Sequence, residues 1–220
     1  MPWPVIEPLV SERLTLEPLS LDHARPMVDV LSDHTLYTFT GGEPPSLATL
    51  TARYGSQLGG PAGGSQAWFN WVARRHDSGT LIGFVQATVA SQGQDTLAEI
   101  AWVIDPAHQR RGFASEATAA LIGWLHAQGV TRLTAHIHPE HTASQRVAYR
   151  QGLRPTSSIE DGEVRWESPS HDERSCSRGS SSARPIACLH RIQPDRSRRI
   201  DHDAHARRTA RQHLRGSRPG

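Results

Sequence analysis

At 220 residues and a formal net charge of +2, the chain has room for one ordinary domain and an appendage. It contains no lysine, which excludes a Walker-type phosphate loop and a Schiff-base lysine, and its two cysteines, Cys176 and Cys188, leave residues 1–167 with neither a disulfide nor a thiol nucleophile. Charge divides the chain: residues 1–167 hold 12 Arg against 17 Asp and Glu, net −5, whereas residues 168–220 hold 12 Arg against 5, net +7.

Leu14, Leu16 and Leu19 alternate with Thr15 and Glu17, which predicts a first strand ended by Pro18. Asp22 is the expected N-cap of a helix running to about Leu31, with Met27, Val28, Val30 and Leu31 as its buried face. Residues 38–45 read as a loop. Ser46 then caps a second helix, in which Leu47, Leu50, Tyr54 and Leu58 recur at helical spacing until Gly59-Gly60 stops it. The glycine-rich run 59–64 follows a helix and precedes a strand, so it reads as a turn and not as a dinucleotide fingerprint. Residues 68–74 and 81–90 are predicted strands joined by the hairpin residues His76-Asp77-Ser78-Gly79, and a second hairpin through residues 91–95 leads into a strand at 97–104.

The turn Asp105-Pro106 and a basic loop follow, then a helix whose Phe113, Ala117, Ala120, Leu121 and Trp124 share one face and which Gly129 closes. Residues 133–137 form the next strand. Thr142-Ala143-Ser144-Gln145 has capping-box spacing and opens a helix that ends at Gly152, before Pro155; a last strand, 163–166, follows the Asp161-Gly162 turn. The succession is α+β.

Residues 98–114 carry the chemistry. A strand that runs through a glycine-bearing loop into a helix start leaves backbone N–H groups unpartnered where the helix dipole adds positive potential, which makes an anion socket. Gly112 lacks a Cβ and lets a phosphate approach the backbone; Arg110 and Arg111 supply charged donors, and a pyrophosphate is the ligand such a socket suits. Taken alone, the loop is also consistent with an ordinary basic connection.

Gln109, Arg110, Arg111, Gly112, Phe113 and Ala114 match the Gln/Arg-x-x-Gly-x-Gly/Ala motif of the GCN5-related N-acetyltransferase (GNAT) superfamily. Ser11-Glu12-Arg13-Leu14-Thr15-Leu16, Ala143-Ser144-Gln145-Arg146-Val147 and Gln151-Gly152-Leu153 resemble its Rim-type branch, whose best-known members acetylate ribosomal-protein N-termini. The resemblance covers residues 9–167 in the family's order. It implies the GNAT fold: a mixed, mostly antiparallel central sheet whose fourth and fifth strands splay apart, with helices on both faces.

It also implies transfer of an acetyl group from acetyl-CoA to a primary amine, a protein N-terminus or a small molecule, by direct attack in a ternary complex without a metal. On this reading the backbone of Trp102, Val103 and Ile104 pairs with the pantetheine arm. Gln109, Arg110, Arg111, Gly112, Phe113, Ala114 and Ser115 hold the pyrophosphate. Ser144 matches the serine of the family's Asn-x-Ala-Ser pattern and is the candidate donor to the departing thiolate, against the plainer reading of a helix-surface serine. His141 stands where that pattern has asparagine, which changes the shape of the usual pantetheine contact.

Glu99 is the candidate proton acceptor, being the single acid of its strand; the alternative is a solvent-facing carboxylate. The tyrosine that other relatives use aligns with Ala148, and Tyr149 lies about 100° round the helix. His136, His138, Glu140 and His141 are dense in metal-ligand types, but the Pro139 bend separates them and no metal site is expected. Trp68 and Phe69 are candidates to line the acceptor cleft, and the other tryptophans are read as core.

Residues 1–167 are therefore expected to be one acetyltransferase domain, and 168–220 a disordered Arg/Ser-rich tail, an extension by frame shift or fusion. No apolar run approaches the roughly 18 residues of a membrane span, so a soluble, cytoplasmic monomer or homodimer is expected. Two other readings stay open: a non-catalytic acyl-CoA-binding module, which His141 favours, and a nucleic-acid-binding protein using Arg198-Arg199 and Arg207-Arg208.

Overall fold

Alternating apolar residues between 66 and 104 build three long antiparallel strands, and the computed structural model arranges the rest of the chain around them. It describes residues 3–62, 64–92 and 95–169. The expected tail from residue 170 onward, with both cysteines and the arginine pairs, and the tip of the second hairpin at Gly93-Gln94 lie outside the described residues.

The elements are β1 (Leu9–Val10), β2 (Leu14–Pro18), α1 (Ala24–Val30), α2 (Leu47–Gly59), β3 (Gln66–Arg75), β4 (Leu81–Gln92), β5 (Asp95–Ile104), α3 (Phe113–Ala127), β6 (Arg132–Ile137), α4 (Thr142–Arg150), β7 (Arg154–Glu160) and β8 (Glu163–Glu167). They form one eight-stranded sheet in the order β1-β2-β3-β4-β5-β6-β8-β7. Every neighbouring pair is antiparallel except β5 and β6, which the α3 crossover makes parallel. The α+β class and the mostly antiparallel sheet with helices on both faces are as expected.

The sheet has a core on each face. On one, Trp71, Ile82, Ile100 and Leu133 meet Leu121, Leu125 and Ala148 of α3 and α4; on the other, Val72 and Leu81 meet Met27, Leu50 and Tyr54 of α1 and α2. Leu121 and Leu125 are fully buried, and each such leucine contributes about 1.5–3 kcal/mol. No helix of the described residues is long and apolar enough to cross a membrane.

Several local expectations differ. The edge strands β1 and β7 were not foreseen: Pro155 read as a helix stop, yet it sits in an edge strand, where its missing N–H leaves no ladder partner wanting. The first helix begins as a 3-10 turn, Leu21–His23, whose N-cap is Ser20 and not Asp22. Leu47 and Leu58 are exposed, and Gln57 takes the buried place on α2 beside Leu50 and Tyr54. The capping box of α4 does not form: the N-cap is His141, without a side-chain bond, and Gln145 Nε2 donates to the Pro139 carbonyl at 2.7 Å. Ser168 continues the ladder beyond the expected boundary at 167, exchanging bonds with Leu133 at 2.9 and 3.0 Å.

Candidate active site

β5 and β6 pair only over Leu97↔Arg132, Ala98↔Leu133 and Glu99↔Thr134, although β5 runs on to Ile104 and β6 to Ile137. A gap therefore opens beyond Glu99. It is the splayed pair that the family resemblance implies, carried here by the fifth and sixth strands because the short edge strand β1 adds one to the count.

Ladder alternation decides which backbone groups face the gap. The Asp105 N–H donates to Ile82 O at 2.8 Å, which puts Asp105, and with it Val103 and Ala101, in register to bond β4; Thr131 N donates to Thr96 O at 3.3 Å on the opposite side. The hydrogen-bonding groups of Trp102 and Ile104 are thus turned to the gap, while those of Val103 belong to β4 and its side chain packs on the α1–α2 core. At Ile104 the carbonyl already accepts Gln109 Nε2 at 2.8 Å.

Beyond the gap lies the loop into α3. Asp105 accepts from the Ala107 N–H and opens a 3-10 turn, Pro106–His108. Gln109 donates its N–H to Pro106 O and its side-chain amide to Ile104, so its part is to shape the loop. Arg110 and Gly112 both take left-handed backbone, φ 59° and 86°; the first is strained for a side-chain-bearing residue and the second is relaxed only for glycine. The first intrahelical bond of α3 is Glu116 N–H to Gly112 O at 3.0 Å, so the N–H groups of Phe113, Ala114 and Ser115 have no intrahelical partner. Arg110 and Arg111 are exposed beside them. These donors and cations fit a pyrophosphate, and the gap fits the extended arm attached to it.

A brace that the sequence reading missed holds this loop. The Arg13 guanidinium meets Glu116 Oε2 at 2.6 Å, donates to Arg111 O at 3.1 Å and lies over the Phe113 ring at 4.5 Å, with Arg75 over the same ring at 5.3 Å. Phe113 is accordingly core. The Ser11-Glu12-Arg13-Leu14 stretch was legible as a family feature; that it grips the start of α3 was not.

Glu99 stands in a cross-strand row, Trp68, Thr88, Glu99, Thr134, on the face of the sheet that carries α1 and α2. Trp68 is half-exposed in that row, whereas Phe69 points to the opposite core and packs against Trp71 and Trp124. The carboxylate has a partner outside the candidate set: His136 Nδ1 lies 3.2 Å from Glu99 Oε1, and His136 Nε2 lies 3.6 Å from Glu160 Oε2. Among the described residues the buried Nε2 has no hydrogen bond. Period-two alternation puts His136 on the face of Thr134, the pairing partner of Glu99, but that pairing depends on a sheet order that local sequence does not carry.

Ser144 is half-exposed in the first turn of α4, and no hydrogen bond among the described residues engages its hydroxyl. His141, one turn earlier, is not free to imitate an asparagine. Its ring lies 4.6 Å from that of Phe39 in the loop after α1, and Phe39 also meets His138 at 5.2 Å. Burial, and then the neighbouring His138, hold the His141 imidazole below its ordinary range of protonation. Among the described residues no group of three or more His, Cys, Asp or Glu is arranged to hold a metal ion.

Known proteins share this fold. The family model described as the acetyltransferase (GNAT) domain matches residues 13–154. An uncharacterized N-acetyltransferase of Bacillus subtilis, YjdG, is 25% identical over 153 residues, which are 66% of this chain and 88% of the relative. A second from that organism, YoaA, is 32% identical over 84 residues, 38% of this chain and about half the length of the relative (47%). A solved acetyltransferase (GNAT family) from Bacillus anthracis superposes with a TM-score of 0.59 at 18% identity, covering 73% of this chain and 96% of that one. The ribosomal L7/L12 alpha-N-protein acetyltransferase RimL, in complex with coenzyme A, has a TM-score of 0.59 at 14% identity, over 73% and 97%. With the family model spanning more than half of its residues, the chain belongs to the GNAT acetyltransferase family.

Proposed function

We propose that the protein transfers an acetyl group from acetyl-CoA to a primary amine by direct attack in a ternary complex. The observation that carries this reading is the divergence of β5 from β6, which begins at the Glu99↔Thr134 pair and ends beside the unpartnered N–H groups of α3. One end of the gap suits phosphate and the other holds a carboxylate. When bound, acetyl-CoA supplies the thioester carbonyl and the thiolate leaving group.

The residues divide the work. Phe113, Ala114 and Ser115 N–H groups, with Arg110 and Arg111, bind the pyrophosphate; the gap-facing backbone of Trp102 and Ile104 aligns the arm. Glu99 takes the proton that the amine loses as the C–N bond forms and the C–S bond breaks, and His136 holds the carboxylate in place. Ser144 donates a hydrogen bond to the departing sulfur, whose proton is completed from solvent.

Incubation with acetyl-CoA and a panel of primary amines, read as free thiol release, tests the proposal. Thiol released only when an amine is present, with the matching N-acetyl product by mass, is the expected result. Tight acetyl-CoA binding without release for any amine would instead establish the non-catalytic acyl-CoA module that His141 favours.

A further inference from the structure

Four arginines among the described residues are half-buried: Arg53, Arg74, Arg75 and Arg165. Three of them meet a carboxylate, Arg74 with Glu17, Arg75 with Asp77 and Arg165 with Glu167. Arg53, on α2, has no ion pair or hydrogen bond among the described residues. A guanidinium removed from water without an anion is costly, and burial pushes its proton affinity down.

Arg53 lines a recess between α2 and the sheet, whose polar lining is Tyr54, Gln57, Asn70 and Gln86 and which no acidic side chain lines. Gln57 Nε2 donates to Asn70 Oδ1 at 3.3 Å, and Gln57 and Gln86 are each only 8% exposed. The free interior is about 20 Å3, room for a water or two or for one small polar head, and not for a whole acceptor.

Its place matters more than its size. Asn70, Gln86 and Ala101 form the cross-strand row next to Trp68, Thr88 and Glu99, on the same face of the sheet. Strand geometry sets Gln86 about 8 Å and Asn70 about 12 Å from Glu99.

We propose that Arg53 and this recess form a second subsite of the acceptor cleft that receives a carboxylate, so that the acceptor is a primary amine bearing a carboxylate roughly 10 Å from its nitrogen. An α-carboxylate is too close to its own amine to reach. An extended peptide rises at most about 3.6 Å per residue, so an acidic side chain two or three residues from the amino end reaches, as does the far end of a long ω-amino acid. The inference rests on the proposed acetyl transfer for its biological meaning, but the subsite is a binding claim and can be tested without turnover.

Peptides with Asp or Glu at the second or third position, ω-amino carboxylates, and the corresponding amides of each are compared as acceptors. The acid should be preferred by about tenfold in kcat/KM, through KM, and Arg53→Gln should erase the preference by raising KM for the acids to that of their amides. Arg53→Lys should restore part of it. Whichever arm shows the preference identifies the source of the carboxylate.

Calorimetric binding of the acid peptides and the ω-amino acids, in the presence of coenzyme A, gives the same comparison if no acceptor is acetylated. That outcome would sink the transfer reaction but not the subsite. Equal handling of acid and amide by the wild-type protein, or a preference that survives Arg53→Gln in a variant with an unchanged melting temperature, would overturn the proposal.

Discussion

Glu116 accepts two hydrogen bonds from Arg13, one from its backbone N–H and one from its Nε, each at 2.7 Å, and a third from the Ser11 hydroxyl at 2.8 Å. The turn between β1 and β2 is thereby fixed to the first turn of α3, where the phosphate loop ends. Burial pushes the Glu116 carboxyl up, but the backbone N–H of Arg13, the Ser11 hydroxyl and the Arg13 guanidinium pull it further down, and the net direction is below its ordinary 4.5. A carboxylate depressed in the folded state stabilises above its unfolded value and loses that contribution as pH falls through the folded one.

Glu116→Gln should therefore cost about 1–3 kcal/mol at pH 7, since it leaves charged and neutral donors poorly matched in a site only 14% exposed. The melting temperature should fall by several degrees, and the gap between variant and wild type should narrow below about pH 4.5. Parallel melts at pH 7 and pH 3.5 check this; a constant gap would mean that the carboxylate charge is irrelevant to the brace.

Gly112 combines two constraints, a left-handed φ of 86° and a Cβ position 3.4 Å from the Arg13 guanidinium. Gly112→Ala should cost about 1–2 kcal/mol from backbone strain alone. Gly112→Trp should in addition displace Arg13 and abolish acetyl-CoA binding, while circular dichroism retains its wild-type shape. Calorimetry showing wild-type affinity for the Trp variant would remove the anion socket.

The loop into α3 was legible because its parts are consecutive: strand, turn, glycine and helix start follow one another, and each has a local signature. Most helices and strands were legible for the same reason. What escaped was set by pairing at long range. His136 meets Glu99 only because β6 sits beside β5, 37 residues away in sequence. β7 is a strand because β8 completes it; its burial alternates from Pro155 to Glu160, but the polar residues Arg154 to Ser158 carry no apolar alternation in the sequence. Arg13 lies 103 residues from Glu116, and a surface arginine beside a helix glutamate has no sequence signal until the sheet brings them together.

Glu99→Gln should lower turnover by roughly tenfold to a thousandfold with acetyl-CoA affinity unchanged, because the base acts on the acceptor's proton and not on the cofactor. His136→Gln keeps a hydrogen bond to Glu99 and should lower kcat less. Steady-state kcat and KM, beside calorimetric acetyl-CoA binding, decide between these roles. A wild-type kcat in Glu99→Gln would reduce Glu99 to scaffold, and a wild-type kcat in His136→Gln would restrict His136 to packing.

His141 takes the place of the family's asparagine and packs against the Phe39 ring at a tilt. Its imidazole is held below the ordinary value of 6.5, first by burial and then by His138, so the unfolded chain binds the proton more readily than the folded one. Stability should consequently be fully present above about pH 6.5 and decline as pH falls from there toward the folded value, by at most about 1.4 kcal/mol per pH unit. His141→Asn should flatten that decline. It should also release Phe39 and, by offering an amide at the mouth of the gap, tighten acetyl-CoA binding if the pantetheine contact is made there. Melts of the two proteins at pH 8 and pH 5.5, with acetyl-CoA titrations at pH 8, separate the effects: parallel melting curves at both pH values would exclude His141 as the titrating group, and unchanged affinity would mean that no pantetheine contact is made at position 141.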